Sequence, residues 1–407
     1  MNSQANKCLG CPKPRCSMMG CPVHTSIPEC IKLYKEGKKI EAGEILFRNN
    51  PFSAITSIVC DWKMYCYGAC VLNAKKDPVK WYEIEQEISK EYLTSFHPTK
   101  VESNGKKIAI IGAGPAGLSS AIFLAQKGYS VTIYDQNESV GGVLKYGIPS
   151  FRLDKSLVEE YTRIINEYGI TFIGNTVVGK DIQVEDIRKE NDAVLVSTGA
   201  IKENKLRIPG EDTKMVVNSL MFLKDNNLLN EGNKVIVIGG GNVAMDAARS
   251  ANRLGKETFV YYRKTFANMP ANPLEVEEAK NEGVKFETLV APVEVKENSV
   301  IFRKCENVTD VNGKLRTKIL EGTDFEVECD TLLVAAGETI DIFVFGENMP
   351  TLNKWNYPEV TEDNMTSIEG VFVAGDFILG ARTVVEAIAS AKKAVEGIER
   401  YLSKWIY

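Results

Sequence analysis

Two copies of one supersecondary unit dominate this sequence. The first reads "KKIAIIGAGPAGLSSAIFLAQKGYSVTIYD"; the second begins 127 residues later and reads "NKVIVIGGGNVAMDAARSANRLGKETFVYYRK". Each predicts an apolar strand, a glycine turn, an amphipathic helix and a second strand, which builds a parallel α/β sheet. In the first unit Gly112, Gly114 and Gly117, with Pro115 and Ala116 between them, spell G-x-G-x-x-G directly after the strand. The first glycine permits the tight turn, the second lets the backbone approach a pyrophosphate, and the third lets helix and strand pack closely. Asp135 closes the next strand, where a carboxylate can hold a ribose hydroxyl.

The second unit carries the variant Gly239, Gly241 and Ala244, with Asn242 opening the helix. Its second strand ends in "VYYRK", so Arg263 and Lys264 stand where an acid is expected. Cations there suit the 2′-phosphate of NADP; the alternative is a solvated basic pair at a strand end. Near the C-terminus, "GVFVAGDFILGARTVVEAIASAKKAVEGIERYL" predicts a strand, Gly375-Asp376 and a long helix. Asp376 can accept from a ribityl hydroxyl, or serve as an ordinary turn or capping residue. The N–H groups near Thr383 and Val384 would open the helix and stabilise negative charge on a reduced flavin. Two dinucleotide sites in one chain suggest FAD plus a nicotinamide.

The head of the chain follows a different rule. Of ten cysteines, eight lie in the first seventy residues, and Cys305 and Cys329 are isolated. "MNSQANK" lacks the hydrophobic core of a signal peptide, and no apolar run approaches the roughly 18 residues that span a bilayer. The expected location is the cytoplasm, where clustered thiols suggest metal or redox work rather than disulfides. Close, turn-rich spacing suits cuboidal iron–sulfur clusters; the rival is structural zinc, which favours well-separated C-x-x-C pairs. A net charge of −5 without basic runs argues against nucleic acid or an anionic membrane. With two histidines in the chain, histidine-based catalysis is hard to build. "IPECIKLYKEGKKIEAGEILFRNN" predicts short helices broken at Gly37, residues 83–92 another helix, and residues 97–106 a linker.

Taken together, "CLGCPKPRC…GCPVHTSIPE", "NPF…VCDWKMYCYGAC", "GGVLKYGIPSFRLDK", "VLVSTGA", "IGGGNVAMDAAR" and "VFVAGDF" resemble one family across essentially the whole chain. It is the small (beta) subunit family of NADPH-dependent glutamate synthase, with the electron-input half of dihydropyrimidine dehydrogenase and flavin-based ferredoxin oxidoreductases among its relatives. The resemblance implies a helical two-cluster [4Fe–4S] domain over 1–100. It implies an FAD domain over 101–200 and 331–407, into which an NADPH domain, 201–330, is inserted. Carried across by position, Cys8, Cys11, Cys16 and Cys70 would hold one cluster. Cys21, Cys60 and Cys66 would hold the other, with Glu85, or else Gln86, as fourth ligand; Cys30 is left unplaced. Gly142 and Leu144 match the flavin-edge segment, which by itself reads as an irregular loop. Gly199 and Gly337 fall where the chain crosses between the dinucleotide domains.

The implied activity passes electrons between NADPH and an external acceptor through FAD and two [4Fe–4S] clusters, because a flavin exchanges hydrides as well as single electrons. Neither an N-terminal cysteine nucleophile nor an eightfold β/α pattern is present. A partner is therefore expected: a glutamate synthase large subunit, a dihydropyrimidine dehydrogenase-like module, or ferredoxin. Two rivals remain. A disulfide reductase would need a C-x-x-C near the flavin, and a zinc-containing nucleotide-binding module would have no enzymatic activity.

Overall fold

The computed structural model of the chain describes residues 2–99, 101–310, 313 and 315–403. Four helices build the head: α1 Ile27–Lys35, α2 Lys39–Asn49, α3 Ser53–Val59 and α4 Trp81–Ser95. Helix α1 buries Ile27, Cys30, Ile31 and Tyr34, the spacing that puts four side chains on one face. They meet Leu46 of α2 and Trp81, Ile84 and Ile88 of α4 in one core. Gly37, at φ +78°, makes the break between α1 and α2. Around the cysteines the chain is mostly turns, with short helical segments at Gln4–Lys7, Cys16–Gly20, Cys66–Ala69 and Val71–Lys75.

Past residue 106 the chain alternates strands and helices. The strands of three or more residues are β1 Lys107–Ile111, β2 Ser130–Tyr134, β3 Thr171–Ile173, β4 Ala193–Val196, β5 Val216–Asn218, β6 Lys234–Ile238, β7 Glu257–Tyr262 and β8 Lys285–Thr288. Next come β9 Val290–Val295, β10 Ser299–Thr309, β11 Leu315–Ile319, β12 Phe325–Glu328, β13 Thr331–Val334 and β14 Val371–Val373. The helices that matter for the site are α5 Pro115–Ala125, α6 Lys155–Glu167, α7 Asn242–Arg253, α8 Pro273–Asn281 and α9 Val384–Ser403.

These elements fall into two compact units. One comprises residues 1–145, 150–201 and 340–407 and holds the head together with a parallel sheet of order β14-β4-β1-β2-β3. Strands β1 and β4 are buried along almost their whole length, as strands covered on both faces must be. Helix α5 covers one face and is in turn overlaid by α9, which explains why every residue from Ala116 to Ala125 is buried. The head is fastened to this sheet by Phe52, whose ring stacks on Tyr161 of α6 at 4.0 Å. The Tyr161 hydroxyl donates to the Pro51 carbonyl at 2.6 Å.

The other unit, residues 146–149 and 202–339, holds a parallel sheet of order β5-β13-β6-β7-β8. An antiparallel layer of β9 to β12 follows, with β10 pairing with β9, β11 and β12. The chain passes from one unit to the other at 201/202 and returns at 339/340, two residues after Gly199 (φ +77°) and Gly337 (φ +93°).

Candidate functional site

In the first sheet the glycine turn sits where β1 ends and α5 begins. At Gly112, φ is +104° and a side chain would run into the Ser197 carbonyl oxygen at 2.6 Å; at Gly114 nothing lies within 4 Å. The turn is thus tight underneath and open where a phosphate would approach. Asp135 follows β2 directly, and its Oδ2 accepts the Ala113 N–H at 2.6 Å. Its Oδ1 accepts the Asn137 N–H at 2.7 Å. Beside them a cavity is lined by Gly112, Asp135, Thr176 and Thr198. The buried Thr198 hydroxyl has no hydrogen-bond partner among the described residues. An open cradle, a carboxylate and an orphaned hydroxyl around one cavity fit the adenosine end of FAD.

The remaining FAD candidates cluster around the same turn. Gly142 lies against Gly114, and a side chain on it would meet the Gly114 Cα at 2.7 Å. Leu144, in the same segment, has a fully buried side chain, and its carbonyl accepts from the Lys155 ammonium at 2.7 Å. Gly375 and Asp376 follow β14, with Gly375 at φ +67° and a Cβ there facing the Ala116 methyl at 2.7 Å. Helix α9 begins at Val384 as expected, but its opening N–H groups are partly taken. Glu386 Oε2 accepts from both the N–H and the hydroxyl of Thr383, at 3.1 and 2.8 Å, a reciprocal cap.

In the second unit the turn repeats. A side chain at Gly239 would meet the Ala335 carbonyl oxygen at 2.5 Å, while the space around Gly241 is open. Asn242 opens α7, and its Oδ1 accepts the Asn272 N–H at 2.9 Å; Ala244 is fully buried. Arg263 and Lys264 follow β7 immediately, Arg263 exposed and Lys264 half-buried. The open cradle followed by two cations fits a phosphorylated nicotinamide dinucleotide.

The head gathers the cysteines into two groups. Cys8, Cys11, Cys16 and Cys70 line one cavity, whose wall Cys66 also reaches. Cys21, Cys60, Cys66 and Glu85 line a second, together with Tyr65 and with Val385 from α9. These are the two sets that the resemblance implies. Among the described residues no three His, Cys, Asp or Glu side chains close on a single-ion position. Cys30 is buried in the head core, with its thiol pushed up to about 12 by burial and by the nearby acid Glu85.

Burial governs the titration of the second set. It drives the thiols of Cys60 and Cys66 well above the ordinary range, with Glu85 adding repulsion. It raises Cys21 as well, and lifts the Glu85 carboxyl to about 8. Several acids packed together without a cation hold their protons. A positively charged iron–sulfur core supplies the missing charge, so the donor set fits such a group.

One contact joins this cavity to the flavin side of the same unit. The Tyr65 and Thr383 hydroxyls share a hydrogen bond at 2.9 Å, so the residue before Cys66 touches the residue before α9. Sequence reasoning missed Tyr65, Thr198 and the polar residues Thr25 and Asn49. Tyr65, Thr25 and Thr198 lie inside the motifs but are none of their cysteines or glycines, Asn49 directly precedes "NPF", and only the fold reveals their neighbours.

Two dinucleotide cradles on two parallel sheets, with a thiol-lined head beside the first, define a pyridine-nucleotide flavoprotein reductase with an electron-transfer module. Residues 106–396 match the family described as pyridine nucleotide-disulphide oxidoreductase. Residues 1–95 match dihydropyrimidine dehydrogenase domain II, 4Fe-4S cluster. The chain belongs to the pyridine nucleotide-disulphide oxidoreductase family. It is an NAD(P)H-dependent oxidoreductase that uses FAD and iron–sulfur chemistry.

The chain is 34% identical to the glutamate synthase [NADPH] small chain of Azospirillum brasilense, covering 98% of this chain and 89% of that one. With the Escherichia coli small chain the figures are 33%, 98% and 91%. The NADP(+)-dependent formate dehydrogenase subunit beta of Moorella thermoacetica is 33% identical over 94% of this chain and 59% of its own. Among solved structures, Mycobacterium tuberculosis FprA in complex with NADPH matches with a TM-score of 0.65 at 18% identity, over 74% of this chain and 85% of that one. A 2-naphthoyl-CoA reductase matches 94% of this chain and 49% of its own, with a TM-score of 0.57 at 21% identity. The relatives include subunits of larger complexes. No described helix is long and apolar enough to cross a membrane.

Proposed function

We propose that this chain is the electron-input subunit of a larger reductase, moving electrons between NADPH and a partner that carries the second substrate site. FAD and the clusters supply the conversion between two-electron and one-electron transfer when bound. Gly112, Gly114, Gly117, Asp135, Gly142, Gly375 and Asp376 hold FAD in this reading. Gly239, Gly241, Asn242 and Ala244 form the NADPH cradle, and Arg263 and Lys264 select the 2′-phosphate. Cys8, Cys11, Cys16 and Cys70 ligate one [4Fe–4S] cluster, and Cys21, Cys60, Cys66 and Glu85 the other. Hydride transfer needs no general base, in keeping with the two histidines of the chain.

The observation that carries this reading is the shared wall of the second cavity. Val385 of α9 lines it beside Cys60 and Cys66, and Tyr65 reaches Thr383. The thiols therefore stand next to the helix whose N-terminus this reading turns toward the flavin.

The acceptor favoured by the relatives is a glutamate synthase large subunit, with a dihydropyrimidine dehydrogenase-like module or ferredoxin as the alternative. Lys13, Arg15, Lys63, Lys75 and Lys76 are exposed around the cysteine turns. Leu9, Met19 and Met64 are also exposed there, at 66%, 73% and 71%. A basic rim around apolar side chains suits an acidic docking face on the acceptor.

An anaerobic absorption spectrum followed by NADPH titration tests the function. A flavin band on a broad brown shoulder, bleached by NADPH in preference to NADH, is the expected result. A flavin band with zinc in place of iron would leave the head structural and refute the cluster assignment.

A further inference from the structure

We propose that Lys392, Asn49 and Thr25 form a one-way hydrogen-bond relay that ends on the Cys21 sulfur and raises the reduction potential of the cluster held there. The proposal rests on the reading that Cys21 is a cluster ligand. It adds three residues to which none of the cysteine or glycine motifs gives a role.

The relay crosses from the flavin-side helix into the head. Lys392 lies on α9, and its half-buried ammonium donates to Asn49 Oδ1 at 2.6 Å. Asn49, the last residue of α2, donates from Nδ2 to Thr25 Oγ1 at 3.3 Å. The Thr25 hydroxyl, only 2% exposed, lies 3.3 Å from Cys21 Sγ.

The donor inventory fixes the direction. An ammonium has protons and no lone pair, so Asn49 must turn its carbonyl oxygen to Lys392 and its NH₂ to Thr25. Thr25 Oγ1 thereby spends a lone pair on Asn49 and keeps its own proton for the sulfur. In the free thiol either Cys21 or Thr25 can donate. A ligating thiolate has no proton, so there the Thr25 O–H donates to sulfur and all three bonds run the same way, from the cation to the ligand.

Such a chain acts on the cluster by charge. Each donor polarises the next, and a hydrogen bond to a ligand sulfur withdraws electron density, which favours the reduced state. A cation at the far end adds to the same effect. The placement has a cost, because burial lowers the proton affinity of the Lys392 ammonium, while Glu396 and Cys21 oppose that. A half-buried lysine facing inward is explained if a negatively charged group inside the head needs it. As Lys392 sits on the helix that starts beside Tyr65 and Thr383, one element serves both the flavin side and the cluster.

The test is a redox titration of the full-length holoprotein followed by electron paramagnetic resonance, with iron and sulfide content measured on each variant. Lys392→Gln and Thr25→Val are each expected to lower the midpoint of one cluster and leave the other unmoved. Poised at the wild-type midpoint, the reduced-to-oxidised ratio of that cluster should fall by roughly 3- to 10-fold. Thr25→Ser and Lys392→Arg, which keep the hydroxyl and the cation, should restore the wild-type midpoint. The double variant should shift little further than Thr25→Val alone, since both cut one chain. If Thr25→Val fails to assemble its clusters, Lys392→Gln, at the far end of the chain, decides the matter. Full iron content with an unmoved or raised midpoint in Lys392→Gln overturns the relay. Cys21→Ala, which leaves no donor atom, separates this from the ligand assignment: if it keeps both signals and its full iron, Cys21 is not a ligand and the underlying reading is the one that failed.

Discussion

The two parallel sheets place the strand of the glycine turn alike, β1 between β4 and β2 and β6 between β13 and β7, yet their glycine turns are closed differently. In the first, a Cβ on Gly117 would lie 1.9 Å from the Gly112 carbonyl oxygen, so helix α5 has come as close as backbone allows. At the matching place in the second, Ala244 carries a Cβ and is fully buried; one added to Gly239 would still stand 3.2 Å from it. After the second strand, Asp135 turns back to bind Ala113 in the first sheet, whereas Arg263 stands exposed in the second. One β-α-β unit therefore presents a compact turn closed by a carboxylate in one copy and a looser turn followed by an exposed arginine in the other. The third residue of the motif reports how near the helix sits, and in the function proposed above the residue after the second strand selects the nucleotide.

Exchanging those features is the strongest way to break the comparison. Gly117→Ala has nowhere to put its methyl, since the obstacle is backbone, and should weaken FAD retention by roughly 100-fold, about 3 kcal/mol. Ala244→Gly, the reverse change, should cost about 1 kcal/mol in helix stability and leave the NADPH KM within roughly twofold. Flavin content and NADPH titration of the two proteins measure both, and equal damage from the two changes would erase the distinction. Next in size, Arg263→Ala should raise the KM for NADPH roughly 10- to 30-fold while leaving NADH within about twofold, because it removes a charge-assisted contact to the 2′-phosphate alone. If both nucleotides suffer equally, the arginine serves the fold. Asp135→Asn should weaken FAD by roughly tenfold, measured by flavin release on dilution, and leave the NADPH KM unchanged.

Much of this contrast is legible in the sequence. The glycine spacing, Asp135 and the Arg263-Lys264 pair mark both turns, because phosphate binding needs backbone freedom at fixed offsets from a strand. The gathering of Cys8 with Cys70 was reached through resemblance, since loop closure over sixty residues leaves no local signal. Leu144 shows the opposite limit: its segment is marked by glycines and aromatics, but the burial of its side chain depends on what packs around α6. Tyr65, Thr25, Asn49 and Lys392 lay beyond sequence reasoning. A polar residue that is not one of a motif's key positions acquires meaning only from the atom it reaches, and Lys392 reaches a residue 343 positions away.

A further contrast lies in how the two helices are held down. Helix α5 is buried all round, so its stability owes little to charge. Helix α7 is held from outside by Arg249, whose side chain is 5% exposed and pairs with Glu275, Glu278 and Glu282. Arg253 joins Glu282 from the next turn at 2.6 Å. Hydrogen bonds from Arg253, then those from Arg249, hold the Glu282 carboxyl down at about 2, against an ordinary value of 4.5. A carboxyl lowered by folding stabilises the folded state above its unfolded value, and the contribution fades as pH falls from 4.5 toward 2. With allowance for solvent screening it amounts to about 1–2 kcal/mol near pH 7. Glu282→Gln should therefore speed hydrogen exchange of the α7 amides relative to wild type at pH 7, by roughly 5- to 30-fold. The difference should shrink by more than half between pH 4.5 and pH 3, while the α5 amides exchange alike in both proteins throughout. A difference at α7 that stays flat down to pH 3, or one that spreads equally to α5, would mean that the two helices are held by the same forces.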